Sequence, residues 1–295
     1  LAIAPFDAAA AGRHQQAWAN YLGLPIEKGL DLPGGEKLTL VLIPPGEFQM
    51  GSTDEEQARF LAEAKAANAP WAEDRILSEV PQHRVRITRP YYLGKHEVTQ
   101  AQWKAVTGDN PSWFKGNRTH PVEQVSWDDI QTFLVKLNGG ASTNTMRFVL
   151  PTEVQWEFAC RAGTTTDWLS DDSSAASEEH GWFKTNSGET TRPVGRLRAN
   201  AFALADLHGN VREWCSDWYG TEYYKDSPTD DPTGPAEGEY PVHRGEGFGA
   251  SGFRCRSASR FHDTPHKQRD WMGFRLALTL SDAKLRALEA PSAPA

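Results

Sequence analysis

The sequence is poor in cysteine, with three in 295 residues, and this limits the sites it can build. Cys160, Cys215 and Cys255 do not form a disulfide framework, and no two of them have the short spacing of zinc ligands. The sequence therefore predicts neither a disulfide-stapled scaffold nor a zinc site. We expect three thiols in a reducing compartment, and so a cytoplasmic location.

The sequence also lacks an excess of positive charge and lacks long apolar runs. Its 31 basic residues face 39 acidic residues, a net charge of −8, whereas nucleic-acid binding needs clustered positive charge. No apolar run is long enough to span a membrane, and residues 1–4 do not resemble a signal peptide. We predict no nucleic-acid partner and no membrane insertion. Because the chain starts with Leu1 rather than Met, we expect a piece of a longer protein.

Tryptophan, glycine and proline are abundant, at 11, 25 and 19 residues. Glycine and proline favour turns, and tryptophan supplies large rigid packing surfaces. This composition predicts a loop-rich globule whose irregular backbone is fixed by aromatic packing. The predicted domain organisation is a helical preface at residues 1–37, one domain at 38–280 and a disordered tail at 281–295.

Hydrophobic spacing and capping residues predict a mixture of helices and short strands. A helix is expected at residues 8–22, and further capped helices open near Thr53, Thr99, Ser126 and Thr152. Strands are expected at 38–43 and 47–50 (joined as a hairpin), 85–88, 91–93, 240–244, 252–260 and 272–278. Residues 163–240 are predicted to be mostly loop, and a loop tract of this length is usually functional.

The densest segment is residues 204–219, LADLHGNVREWCSDWY. Gly209 and Asn210 permit tight turns with positive φ, and Asp206 and Glu213 supply oxygens suited to a hard cation. Acidic, amide, glycine and aromatic residues lie too close together here for an ordinary helix or strand.

Six segments, in order along the chain, resemble the formylglycine-generating enzyme (sulfatase-modifying factor) family. Residues 204–219 are similar to its GN-x-WEW signature, with Arg212 where a Trp is usual. The others are similar to the family's opening hairpin, its EVT-x-x-x-W, PV-x-x-VSW and RLPTEAEWE segments and its closing GFR strand, at residues 41–52, 92–103, 120–127, 147–157 and 273–275. The resemblance implies an irregular α+β domain, a variant of the C-type lectin fold.

Catalytic members of this family bind copper(I) through two cysteines and oxidise a sulfatase cysteine to formylglycine. Soft thiolates suit copper(I), but the matching positions here fall near Gly247 and Gly252. Cys255 is the nearby thiol, either a lone redox residue or a thiol packed under the loop. One thiolate is a poor copper(I) site, so we expect a packed thiol, no catalytic residue and no copper.

Calcium is the cofactor that the resemblance predicts. In the family a side-chain oxygen, two backbone carbonyls and a glutamate of the GN-x-WEW turn bind the ion. Transferred to this chain, the ligands are Asp206, the carbonyls of Gly209 and Val211, and Glu213. The alternative is that Asp206 and Glu213 only stabilise a turn.

The family contacts its partners through a C-terminal surface, residues 246–271 in this chain. The expected ligand-binding residues are Glu246, Phe248, Ser251, Phe253, Phe261, His262, Asp263, Lys267, Arg269 and Trp271. Aromatic residues with arginine are common anchors of protein interfaces, although some of these aromatics could instead belong to the core. Some retroelement-diversified proteins resemble this family and vary the same region.

Two functions remain open. One is a non-catalytic, lectin-like domain that binds a protein or peptide through residues 246–271. The other is a formylglycine-generating-type oxidoreductase acting on a cysteine of a client protein such as a sulfatase. The absent thiolate pair favours the first. A third hypothesis is a structural module fused to an upstream enzyme or signalling domain, because residues 5–25 resemble segments beside such domains in large bacterial proteins.

Overall fold

The computed structural model describes residues 1–141, 146–169, 176–251 and 254–280. The helices are α1 (Ala8–Leu22), α2 (Asp54–Ala66), α3 (Glu73–Leu77), α4 (Gln100–Thr107), α5 (Trp127–Ala141), α6 (Glu153–Arg161) and α7 (Tyr223–Asp226). The strands are β1 (Ala2–Ile3), β2 (Glu27–Asp31), β3 (Lys37–Ile43), β4 (Gly46–Met50), β5 (His83–Ile87), β6 (Tyr91–Gly94), β7 (Met146–Val149), β8 (Arg212–Trp218), β9 (Pro241–Arg244), β10 (Arg260–His262), β11 (Met272–Gly273) and β12 (Ala277–Leu280). The predicted tail at 281–295 lies outside the described residues.

The largest sheet has five antiparallel strands in the order β2-β3-β6-β12-β7. Apolar side chains of α4 and α5 cover one side of it. Trp103 of α4 stacks on Phe133 of α5 with ring centroids 5.0 Å apart, and both rings meet Phe274 edge-on. This aromatic contact lies in one of two large buried clusters, and it fixes the two helices against the segment between β11 and β12.

Two smaller sheets complete the fold, in the orders β1-β4-β5 and β10-β9-β8-β11. β3 and β4 were expected to form a hairpin, and this prediction is wrong. β3 pairs with β2 and β6, whereas β4 pairs with β1 and β5. Pro44 and Pro45 lack the backbone N–H that a hairpin ladder needs, so the chain leaves one sheet and enters another.

The predicted helix starts are confirmed, because they depend on neighbouring residues. Thr53, Thr99 and Thr152 each accept a hydrogen bond from a backbone N–H three residues later, and the side chain at that third position bonds back. Ser126 and Asp129 exchange the same pair of bonds at α5. The end of α6 differs slightly from expectation, since Ala162 rather than Gly163 is its left-handed cap residue.

Three predictions in the second half of the chain are wrong. The strand expected at 272–278 is interrupted, since Met272–Gly273 and Ala277–Leu280 are separate strands in different sheets. Residues 212–218, which were expected to be irregular, form strand β8. Of the strand expected at 252–260, residues 252–253 lie outside the described residues, and β10 begins only at Arg260. Before it, Ser257 N–H donates to the Asp167 carbonyl and Ser259 N–H to the Arg256 carbonyl, which makes a turn. β8 has partners on both sides, and its pairing with β9 and β11 decides the local structure.

Residues 1–37, expected to be a helical preface, contribute strands as well as a helix. β1 pairs with β4, β2 pairs with β3, and α1 buries Gln15, whose amide donates to the Leu42 carbonyl. Within the described ranges, no helix is long and apolar enough to cross a membrane. The whole is the irregular α+β domain that the sequence predicted, with short strands and long connections.

Candidate functional site

The turn before β8 uses left-handed backbone at three positions. Asp206 and Asn210 have φ of 60° and 61°, and Gly209 has φ of 121°. A Cβ at Gly209 would overlap the carbonyl oxygen of Trp182, so glycine is required by space as well as by backbone angle. The turn therefore lies close against residues 181–183.

Glu213, expected to bind calcium, binds protein groups instead. Its carboxylate accepts hydrogen bonds from Nε and Nη2 of Arg275, both at 2.6 Å, and from Nε1 of Trp156 at 2.7 Å. Both oxygens are thereby used in a fully buried ion pair. The carboxylate joins β8 to the segment before β12 and to α6.

Two other carboxyls near this turn have unused oxygens. Asp206 accepts a bond from Gly195 N–H through Oδ2, while its buried Oδ1 has no hydrogen-bond partner in the described part of the chain. Both oxygens of Glu97 are buried and without such a partner there. Burial raises the pKa of Asp206 to about 6 and holds the pKa of Glu97 well above its usual range, with the Asp206 charge adding to the effect on Glu97.

These donors fit a calcium ion only in part. Asp206 offers a free carboxylate oxygen, and Glu97 adds one that sequence analysis did not single out, although the EVT segment contains it. Glu213 does not fit, because Arg275 and Trp156 occupy it. Within residues 1–141, 146–169, 176–251 and 254–280, no group of three or more His, Cys, Asp or Glu side chains is placed to hold a metal ion.

The three thiols are buried. Cys255 is 1% exposed and packs with Phe183 and Ala250, and burial raises the pKa of its thiol well above the usual range. Cys160 Sγ lies 3.4 Å from Nε2 of His208. Burial raises the pKa of Cys160 to about 12 and lowers that of His208 to about 4, so this pair stays a neutral thiol beside a neutral imidazole.

The C-terminal surface contains a cluster that we call the arginine–aromatic cluster. Its members are Arg75, Arg212, Arg254, Glu246, Trp71, Phe261 and Trp271. Arg212, at the position where the resembled signature has Trp, donates from Nε to Oε2 of Glu246 at 2.9 Å. Arg254 reaches the other oxygen of Glu246 from Nη2 at 2.7 Å.

The aromatic rings of the cluster lie between its arginines. The guanidinium of Arg212 is 4.2 Å from the ring centre of Phe261 and 4.5 Å from that of Trp271. Arg254 lies 4.3 Å from the ring centre of Trp71. Arg75, from α3, is 5.2 Å from Trp71 and 5.0 Å from Phe261. Each ring thus contacts one or two cations on a partly exposed surface.

The predicted contact residues divide by exposure. Glu246, Phe248 and Phe261 are buried at 2%, 7% and 4%, so they support the surface from beneath. The rest of the described set is exposed or half-buried, namely Ser251, His262, Asp263, Lys267, Arg269 and Trp271. Phe253 lies outside the described residues. The ring of His262 lies against Tyr219, with centroids 4.1 Å apart.

Two other loops, which were not singled out from the sequence, contribute to this surface. Trp71 is 49% exposed beside Arg75, and Trp113 is 71% exposed in the loop after α4. Phe114 meets Phe248 edge-on at 5.2 Å, which places that loop beside the predicted surface. Glu123 holds the loop by accepting hydrogen bonds from the N–H groups of residues 113 and 114, both at 2.9 Å. The sequence signal that could have indicated these loops was a tryptophan soon after a proline, at Pro70 and Pro111.

A separate cavity of about 320 Å³ lies among β2, α5 and β7. It is lined mainly by apolar side chains, including Leu30, Leu137 and Phe148, with Lys28 and Lys136 at its margin. No predicted contact residue lines it. It therefore offers a competing location for a ligand, away from the C-terminal surface.

Residues 33–280 match the Sulfatase-modifying factor enzyme 1-like domain, and the chain belongs to this family. It is 32% identical over 256 residues to the formylglycine-generating enzyme of Streptomyces coelicolor, covering 78% of this chain and 77% of that protein. It is 31% identical over 180 residues to the chaperone protein LppX of Paenibacillus barcinonensis, covering 44% of this chain and 62% of that protein. The structure is similar to that of Treponema denticola variable protein 1, with a TM-score of 0.72, 28% identity and coverage of 86% and 99% of the two chains.

Proposed function

We propose that this chain is a non-catalytic binding domain that holds a protein or peptide ligand on the surface formed by residues 246–271 and the adjoining Trp71 and Trp113 loops. The arginine–aromatic cluster is the observation that carries the proposal. Exposed tryptophan with half-buried arginine over a rigid, buried base is the composition of an interface hot spot. The likeness to Treponema denticola variable protein 1 supports a binding role for the fold.

The test is selection of displayed random peptides on the immobilised chain. We expect peptides that bind the wild-type protein and lose affinity when Trp271 is changed to alanine, while a Tyr21→Ala variant on α1 keeps it. Tyr21 is a suitable control because it is an exposed aromatic on α1. Recovery of no binding peptide, or equal binding by the Trp271→Ala variant, would contradict the proposal.

A formylglycine-generating-type oxidation is the second candidate, favoured by the identity to the Streptomyces coelicolor enzyme. Against it stand the buried, neutral thiols and the glycine at position 247. The test is oxygen consumption with a cysteine-containing peptide after copper(I) loading under reducing conditions. We expect no consumption above that of a Cys255→Ser variant. Turnover that depends on Cys255 would establish the oxidase instead.

A structural calcium ion at Asp206 and the carbonyls of Gly209 and Val211 is a further proposal. The support is the unpartnered Asp206 Oδ1 and Glu97 carboxylate, whose buried charge a divalent cation would neutralise. We expect calcium to be retained on dialysis and a chelator to lower the melting temperature of the wild type but not of Asp206→Asn. A melting temperature insensitive to the chelator, with no calcium found by mass spectrometry, would contradict it.

A further inference from the structure

The arginine–aromatic cluster holds more positive than negative charge. Of its three guanidinium groups, those of Arg212 and Arg254 both pair with one carboxylate, that of Glu246, whereas Arg75 makes no ion pair with a described residue. Asp263 is the next acid to act on Arg75, and it does so through space, without an ion pair. On the neighbouring loop the charges of Asp263 and Asp270 are matched by those of Lys267 and Arg269.

Arg75 is the cation of the cluster that has no acidic partner. Its guanidinium contacts the rings of Trp71 and Phe261, and no carboxylate or hydrogen-bond acceptor among the described residues reaches it. Burial and the nearby charge of Arg212 lower the pKa of Arg75 to about 10, so it is still charged at neutral pH. Because the described contacts of the Arg75 guanidinium are with aromatic rings, its N–H groups remain available to a ligand.

Arg254 has a spare donor on the same side. One of its terminal nitrogens pairs with Glu246, whereas its Nε is buried without a hydrogen-bond partner in the described part of the chain. A buried donor without an acceptor is costly, and an incoming oxygen anion would remove that cost. Arg75 and Arg254 both lie over Trp71, at 5.2 and 4.3 Å, so one group bound beside this ring can reach both arginines.

We infer that this surface selects a ligand by a carboxylate, with Arg75 and Arg254 donating to an acidic side chain of the bound peptide and Trp71 packing against its neighbours. The inference rests on the proposed binding function and specifies the chemistry of its partner. Arg212 has a different role, because both its Glu246 contacts are buried and it fixes the position of Glu246 under the surface. The protein carries a net charge of −8, so this is a local positive site on an acidic molecule.

The experiment compares peptides selected from one random displayed library by the wild-type chain and by Arg75→Gln. We expect enrichment of Asp and Glu in wild-type binders. For one such peptide we expect at least about a tenfold loss of affinity in Arg75→Gln, since hydrogen bonds between charged groups are among the stronger ones. Arg13→Gln, a change at an exposed arginine of α1, is the matched control and should leave affinity unchanged.

A double-mutant cycle tests whether Arg75 itself contacts the carboxylate of the peptide. Replacing the peptide's acidic residue by its amide should weaken binding to the wild type and to Arg75→Lys, and should weaken it less in Arg75→Gln, where only Arg254 still donates to the carboxylate. Arg75→Lys also guards against misfolding of the glutamine variant, because it keeps the charge.

The possible results distinguish failure of the carboxylate inference from failure of the proposed binding function. Binding peptides without acidic enrichment, or equal binding by Arg75→Gln, would overturn the carboxylate inference and leave the binding function standing. Failure to select any peptide would overturn the binding function, and the carboxylate inference with it.

Discussion

Arg275 and Glu213 form a two-point ion pair in the interior, with Nε and Nη2 of the arginine each 2.6 Å from a carboxylate oxygen. The same guanidinium donates to the carbonyls of Gly94 and Ala205, both at 3.0 Å. The pair joins the start of β8 to the GFR segment across 62 residues of sequence. Two segments that were recognised separately in the sequence are thus one structural unit.

Glu213→Gln should strongly destabilise the fold, because it leaves the Arg275 charge buried without compensation. The expected loss in the free energy of unfolding is about 3–5 kcal/mol. Urea denaturation monitored by circular dichroism measures it. Lys95→Gln, which breaks the more exposed Lys95–Glu27 pair, is the control and should cost far less. Equal effects of the two changes would mean that the buried pair is not central to stability.

Gly209→Ala should cost more stability than Gly108→Ala. Both glycines have positive φ, 121° and 97°, so backbone strain should lower the stability of both variants by about 1–3 kcal/mol. A Cβ at Gly108 meets open space, whereas one at Gly209 meets the Trp182 backbone. Thermal unfolding of the two variants isolates that collision. Similar melting temperatures would show that the turn before β8 can move away from Trp182.

Asp217 should make the protein less stable as pH rises from about 4 to 7. Burial, and then the charge of Glu153, raise the pKa of Asp217 from 3.8 to about 7. Between these values the folded state holds a proton that the unfolded state releases, so its contribution to stability is present at low pH and is lost as pH approaches 7. The slope for one proton is at most about 1.4 kcal/mol per pH unit.

Asp217→Asn should remove this part of the slope, since the amide oxygen can still accept the Glu153 N–H bond. Unfolding free energies at several pH values measure the slope. Asp226→Asn, at an exposed position of α7, should leave the wild-type slope unchanged. A slope in Asp217→Asn identical to the wild type would assign the pH dependence elsewhere, for example to Glu123, whose pKa burial raises to about 7.

Trp71→Ala should weaken peptide binding by about tenfold or more, as expected for an interface hot spot, with little effect on thermal stability. Trp71 is half-exposed, and its contacts with Arg75 and Arg254 lie at the surface. Isothermal titration with a selected peptide gives the affinity. A drop in melting temperature as large as that of a core substitution would instead make Trp71 a packing residue.

Local signals predicted the five longer helices of this fold but not the short helices α3 and α7, and non-local contacts decided the strand pairing that the sequence did not reveal. The capping boxes at Thr53, Thr99 and Thr152 involve residues three apart, so the sequence alone revealed them. The partners of β3 and β4 lie elsewhere in the chain, so the hairpin suggested by adjacency was wrong.

In the candidate site, too, the sequence revealed local features but not the contacts between distant segments. The C-terminal surface was found by its resemblance to a family, but the cluster is completed by Arg75, which contacts Phe261 only in the folded chain. Likewise Glu213 carried the oxygens expected of a calcium ligand, and nothing nearby in sequence indicated that Arg275 would bind them.

Hydrogen–deuterium exchange of the chain with and without a selected peptide locates the bound ligand. We predict slower exchange at residues 70–79, 112–116 and 246–271 when the peptide is bound, with β2 and α5 unchanged. Protection of β2, α5 and β7 around the 320 Å³ cavity, with the arginine–aromatic cluster unaffected, would contradict this prediction.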